Sequence, residues 1–129
     1  MVTEMARRLQ KFFEERTAGD LRSIVVYDED EFEVSYLRDD VAAEYTEREV
    51  ATAVDDARTE SLMAPVYGDL YTDDHDDLIC TIKMFPSVVE MNFVRSSAEG
   101  VAVALDAGVL EESDGLVTEA RAVAADDQL

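Results

Sequence analysis

The chain has 129 residues, 47% of them hydrophobic, with 31 acidic against 11 basic side chains and a net charge of −20. That apolar content excludes a disordered acidic tail, and the length suits about one domain, residues 1–129, with a core of its own. The charge opposes nucleic-acid binding, because counterion release needs clustered cations on the protein.

The first element is an amphipathic helix over residues 3–17. Val2, Met5, Leu9, Phe12 and Phe13 follow the helical period, Thr3 is the expected cap and Gly19 the expected stop. Glu4 and Arg8, and Lys11 and Glu15, stand four residues apart and are expected to pair along its surface. RSIVVYD (22–28) and EFEVSYLR (31–38) alternate and are rich in β-branched and aromatic residues. With an acidic turn between them they predict a hairpin, Phe32, Val34 and Tyr36 sharing one face.

Asp39 and Asp40 open a short helical stretch through Val41 and Tyr45. TERE (46–49) has the spacing of a capping box: the Thr46 hydroxyl serves the amide of Glu49, and Glu49 reaches back to that of Thr46. The helix that follows is expected to bury Val50, Ala53, Val54, Ala57 and Leu62, to solvate Glu47, Asp55, Asp56 and Glu60, and to end at Pro65. PVYGDLYT (65–72), DLICTIKMF (77–85) and SVVEMNFV (87–94) read as strands. EGVAVAL (99–105) is favoured as a strand by the alternation of Val101, Val103 and Leu105, although its alanines also suit a helix. Residues 109–124 are expected to close the chain as a helix using Leu110, Leu116, Val117 and Ala120, weakened by Gly115.

The order α-ββ-α-βββ(β)-α predicts an α+β fold, one antiparallel sheet of about five or six strands packed with helices.

YTDDHDD (71–77) sets four aspartates around the chain's one histidine. Carboxylates suit hard cations such as Mg²⁺ or Mn²⁺, but Asp also favours turns, and a turn between two strands does not preorganise ligands. The 69–77 loop is therefore expected to be a solvated turn that condenses K⁺, Na⁺ or Mg²⁺ weakly. YDEDEFEV (27–34) lacks the glycine and terminal glutamate of a calcium loop. One histidine and one cysteine are too few for a zinc site or a triad, and the five glycines form no phosphate-binding loop. Cys80 allows no internal disulfide, fits a reducing compartment and reads as a buried strand thiol. Arg7, Arg8 and Lys11, or Arg22 and Arg38, are the only candidate positive spots, and direct DNA binding is not expected. No catalytic, cofactor-binding or metal residue is assigned, and the chain is not expected to be an enzyme. MVTEMARRLQKFFEER, at the start, has no apolar run of signal-peptide type, and no run approaches a membrane span, so a cytoplasmic protein is expected.

Dense carboxylates, nine Arg against two Lys, and many small core residues are the pattern expected of a halophile's protein. A field of this size destabilises the compact state at ordinary ionic strength, and molar salt screens it to a Debye length of about 3 Å. The alternative is an acidic protein that mimics nucleic acid or docks on a basic partner. The segments FFEERTAGDLRSIVVYDEDEFEVSYLRDDV (12–41) and TIKMFPSVVEMNFVRSSAEGVAVALD (81–106) resemble a family of small uncharacterised haloarchaeal proteins, which carries no assigned activity. The element order is similar to roadblock-type (dynein light chain-like) domains, and more loosely to profilin- or PAS-like sheets. That resemblance implies a dimeric regulator or scaffold, and a departure from the pattern if 99–105 adds a strand at the sheet edge.

The function expected is thus a small cytoplasmic regulatory or protein-interaction domain of a halophile, a homodimer or bound to a protein partner, with Tyr45, Tyr67 and Tyr71 as candidate exposed aromatics. The alternatives are a small-molecule-sensing domain, which calls for a closed apolar cavity with a few converging polar groups, and an acidic transcription-linked regulator.

Overall fold

The structure is a computed structural model that describes residues 2–70, 78–112 and 114–125. Its core is a five-stranded antiparallel sheet of order β2-β1-β5-β4-β3, formed by β1 (Leu21–Tyr27), β2 (Phe32–Leu37), β3 (Cys80–Met84), β4 (Val88–Ser96) and β5 (Glu99–Asp106). Helices cover both faces, as the α+β expectation requires. On one side lie α1 (Thr3–Arg16), α4 (Val109–Glu112) and α5 (Leu116–Ala125). The other side carries α2 (Asp39–Glu44) and the long α3 (Glu47–Leu70).

Helix α1 forms because Val2, Met5, Ala6, Leu9 and Phe13 fall on one stripe, and all five are buried. Burying Leu9 and Phe13 fully stabilises the fold by about 1.5–3 kcal/mol each. Thr3 is the first helical residue rather than the cap; Val2 holds that place without a side-chain bond. At the other end the Thr17 hydroxyl donates to the Phe13 carbonyl (2.7 Å), and Gly19 leaves with φ +82°. Glu4 pairs with Arg7 at 2.8 Å and with Arg8 at 3.8 Å. Arg16 crosses to α5, its Nε and one terminal nitrogen donating to Glu119 and that nitrogen also to the Asp114 carbonyl.

The sheet separates two cores. Ile24, Val26, Val101, Val103 and Leu105 point toward α1 and α5, together with Val89, Met91 and Phe93 of β4. Toward α3 point Val25 and Tyr27, and from the central strand Gly100, Ala102 and Ala104, with Asp106 at its end. Residues 99–105 are therefore a strand. It lies in the middle of the sheet, between β1 and β4, and not at the edge where the roadblock-type pattern would have put an extra strand.

Three further expectations need correction. The segment from Pro65 is not a strand: α3 runs through Pro65 to Leu70. Proline in a helix interior costs about 3 kcal/mol, but Val54, Ala57, Ser61 and Ala64 pack the helix against the rest of the protein in one unbroken stripe. Packing overrides the local breaker, and the sheet has five strands. Leu62, expected inside, is about half exposed, because the buried stripe runs through Ser61 instead. In β2 a bulge at Ser35 breaks the alternation: Val34 pairs with Val25 while Tyr36 pairs with Ile24. Phe32 and Val34 thus face the α3 side, and Tyr36 packs into the opposite core.

The capping box at α3 forms as expected. The Thr46 amide donates to Glu49 Oε1 at 3.0 Å, and the Glu49 amide donates to Thr46 Oγ1 at 3.2 Å. The closing helix is split in two at Gly115, whose φ of +76° only glycine adopts without strain.

Candidate functional site

Small side chains on β5 leave room under α3. With Gly100, Ala102 and Ala104 as the only β5 residues on that face above Asp106, helix and sheet do not close on each other. A cleft of about 570 Å³ results. Ala102, Ala104 and Val25 form its floor, Val34 and Leu37 of the hairpin one wall, Val41 of α2 and Tyr45 just after it its end, and Val50 and Val54 of α3 its roof. Among the described residues the space is a partly open cleft.

Polar clusters stand at both ends, engaged within themselves, and Ser23, Arg48, Asp56 and Glu90 also line the space. At one end Tyr27, fully buried, donates its hydroxyl to Asn92 Oδ1 at 2.5 Å. Asn92 Nδ2 donates to the Ala57 carbonyl (3.0 Å) and to Glu60 Oε1 (3.1 Å). Glu60 Oε1 also accepts from the Thr81 hydroxyl (3.1 Å), and Oε2 lies 3.4 Å from Lys83 Nζ. Burial pushes the Tyr27 phenol up to about 12, so it stays protonated and acts as a donor. Gly100 makes this packing possible: a Cβ there would sit 2.5 Å from the Phe93 carbonyl and 2.6 Å from the Tyr27 hydroxyl.

At the other end Asp106 of β5 gathers two arginines. Its Oδ1 accepts from Arg22 (3.1 Å) and its carboxylate from Arg38 (2.8 and 3.1 Å). Arg22 also donates to Glu44 (3.1 Å), and Arg38 to Asp40 (2.6 and 3.0 Å) and to the Gly19 carbonyl (2.7 Å). The hydrogen bonds from Arg38, then those from Arg22, hold the Asp106 carboxyl below the usual range. Arg38 is held well above its ordinary value by Asp40 and Asp106. Burial works against the charge of Arg22, yet the groups beside it, Asp106 first, leave its pKa raised. The expected positive spot at Arg22 and Arg38 is therefore neutralised by three carboxylates.

The remaining sequence candidates divide. Residues 71–77, with the histidine and Tyr71, lie outside the described residues. In the 27–34 segment Asp28 is spent on its own turn, its Oδ1 accepting from the amides of Asp30 (3.0 Å) and Glu31 (2.8 Å). Those bonds, from Glu31 first, lower its pKa. Arg58 clasps the same turn through the carbonyls of Asp28 and Glu31. Cys80, expected as a buried strand thiol, lies in β3 and is half-buried, its thiol pushed up to about 12 by burial. Tyr45 and Tyr67 are both exposed, the first on the cleft wall. Of the surface pairs expected on α1, Glu4 with Arg8 is present. Among the described residues no group of three His, Cys, Asp or Glu is placed to hold a metal ion, and no helix is long and apolar enough to cross a membrane.

Sequence reasoning missed the Tyr27–Asn92–Glu60 network and the cleft. A signal existed: the small-residue alternation Gly100, Ala102, Ala104 beside the large Val101, Val103, Leu105 marks a strand with one starved face.

No curated protein and no solved structure matches the chain. A family model covers it from residue 7 to residue 125, and the chain therefore belongs to the family described as a domain of unknown function, DUF7522.

Proposed function

We propose that this protein is a small regulatory domain without chemistry of its own, whose input is an uncharged apolar molecule held in the cleft beneath α3. The observation that carries this reading is a cleft with a largely apolar floor and walls, whose innermost polar groups are engaged with the protein itself. Asn92, Glu60 and Arg22 have their hydrogen bonds filled from within the protein. Most of what remains is apolar wall, Val25, Val34, Leu37, Val41, Val50 and Val54, with the charged Arg48, Asp56 and Glu90 also on the lining. The volume lies within the roughly 300–1,000 Å³ of small-molecule sites. Tyr27 and Cys80, both kept protonated, supply neither a base nor a nucleophile near neutral pH, which supports a binding role over catalysis.

The test is a thermal-shift screen in molar KCl with apolar probes, decanol and 2-naphthol among them. Ligand at about 100 times its Kd stabilises by about 2.7 kcal/mol, a shift of several degrees. Ala104→Leu fills the floor and is expected to abolish the shift while leaving the unliganded midpoint unchanged or raised. An equal shift in that variant places the ligand elsewhere, and no saturable shift from any probe removes the proposal.

A second reading, protein interaction, is supported by Leu62, Met63, Val66 and Tyr67, all exposed on the C-terminal half of α3. The acidic coat is proposed as an adaptation to a salt-rich cytoplasm, with cations condensed weakly on it. Arg22 and Arg38, engaged with carboxylates, offer little to a nucleic acid. The thermal midpoint is accordingly expected to climb steeply from dilute buffer to molar KCl, as the Debye length shrinks from about 10 Å to about 3 Å. A midpoint independent of salt would remove the halophilic reading.

A further inference from the structure

The two edges of the sheet are built differently. β2 is guarded: Glu31 and Glu33 flank or occupy it, and the bulge at Ser35 twists it, both devices that keep an edge from pairing with another chain. β3 has neither device. From Leu78 to Val89 there is no acidic residue, the longest such stretch in a chain that carries 31 of them, and its one charge is Lys83. Ile79, Ile82, Met84 and Phe85 are all at least 40% exposed along it.

The backbone of this edge is poised to pair. The Ile79 carbonyl accepts from the Val94 amide (2.9 Å), and the Phe85 amide donates to the Val88 carbonyl (2.8 Å). By alternation, residues 79, 81, 83 and 85 aim their polar groups at β4, and Cys80, Ile82 and Met84 aim theirs outward. Among the described residues nothing meets them.

We propose that β3 is a dimerisation edge: two copies pair antiparallel through it about a two-fold axis at Ile82, making one continuous ten-stranded sheet. Ile82 then exchanges both backbone bonds with its own copy, and Cys80 stands opposite Met84 of the second chain. The occupant is a second copy because the edge can pair with itself in register and, from Leu78 to Val89, brings no acidic residue of its own to a joint between two chains of charge −20. The outward backbone of the edge faces away from the apolar cleft, which β3 lines only through Lys83, so the proposal stands or falls apart from the ligand reading.

The test is sedimentation equilibrium in molar KCl over a wide concentration range, with circular dichroism to confirm the fold. The wild type is expected to reach twice its 14.4 kDa mass. Ile82→Pro removes the outward amide but no bond to β4, and Met84→Glu adds a carboxylate to the edge. Each is expected to weaken dimerisation by about tenfold or more, which is about 1.4 kcal/mol. Phe32→Glu, on the β2 edge, is expected to leave it unchanged. If Ile82→Pro fails to fold, Met84→Glu alone decides. A wild type that stays monomeric at every concentration overturns the proposal, as does a dimer that survives Met84→Glu or is lost in Phe32→Glu.

Discussion

Replacing Gly100 by alanine is expected to destabilise the protein by about 3 kcal/mol, in the upper range for overpacking a filled site, and to lower the thermal midpoint by roughly 12 °C. The added methyl group has no room. One neighbour is the Phe93 carbonyl, a backbone atom of the paired strand β4, which yields only if the β4–β5 ladder opens. The other is the Tyr27 hydroxyl, fixed by its bond to Asn92. Moving Tyr27 leaves the buried Asn92 carbonyl oxygen without its donor, an unsatisfied group that costs about 1–3 kcal/mol. Tyr27→Phe introduced with Gly100→Ala is expected to recover part of the loss, because residues in contact do not act additively. A midpoint lowered by less than about 3 °C for Gly100→Ala would show that the strand and the phenol are not locked as described.

The second large effect is at Asp106. Asp106→Asn is expected to cost about 2 kcal/mol, less than the 3–5 kcal/mol of breaking a fully buried pair, because Asp106 is about one-third exposed and each arginine keeps another carboxylate. Arg22, with only a tenth of its side chain exposed, bears most of the loss. The pH dependence follows from the same contacts. The Asp106 pKa is lowered by folding from its ordinary value of 3.8. Its contribution is therefore complete above that value and fades as pH falls through the lower folded one. Wild type should lose thermal midpoint steeply below about pH 4, and Asp106→Asn should lose less over that window. Parallel acid profiles for the two would mean that the arginine pair does little.

What could be read in the chain was local. The capping box at Thr46 depends on residues three apart, and it forms as the spacing says. Helix α1 and the first hairpin follow from periods of 3.6 and 2 within one stretch. The failures are places where a distant surface decides. Pro65 reads as a stop, yet the packing of Ser61 and Ala64 carries α3 past it. Ser35 looks like an ordinary alternation partner, yet pairing with β1 makes it a bulge. The candidate site is of the same kind. Arg22 and Asp106 are 84 positions apart, Tyr27 and Asn92 are 65 apart, and only the antiparallel placement of β1, β5 and β4 joins them. The starved face of β5 was visible as alternating small residues, but its meaning depends on which helix covers it.

A cleft whose floor and walls are mostly apolar, with its innermost polar groups engaged within the protein, is suited to a guest that makes mainly apolar contact. Two-dimensional NMR of isotopically labelled protein, titrated with 2-naphthol in molar KCl, examines that idea most directly. Saturable shifts concentrated on Val34, Leu37, Tyr45, Ala102 and Ala104, and absent from Ala104→Leu, are the result expected. Shifts that never saturate, or that gather on the exposed β3 edge or the α1–α5 face, would contradict it.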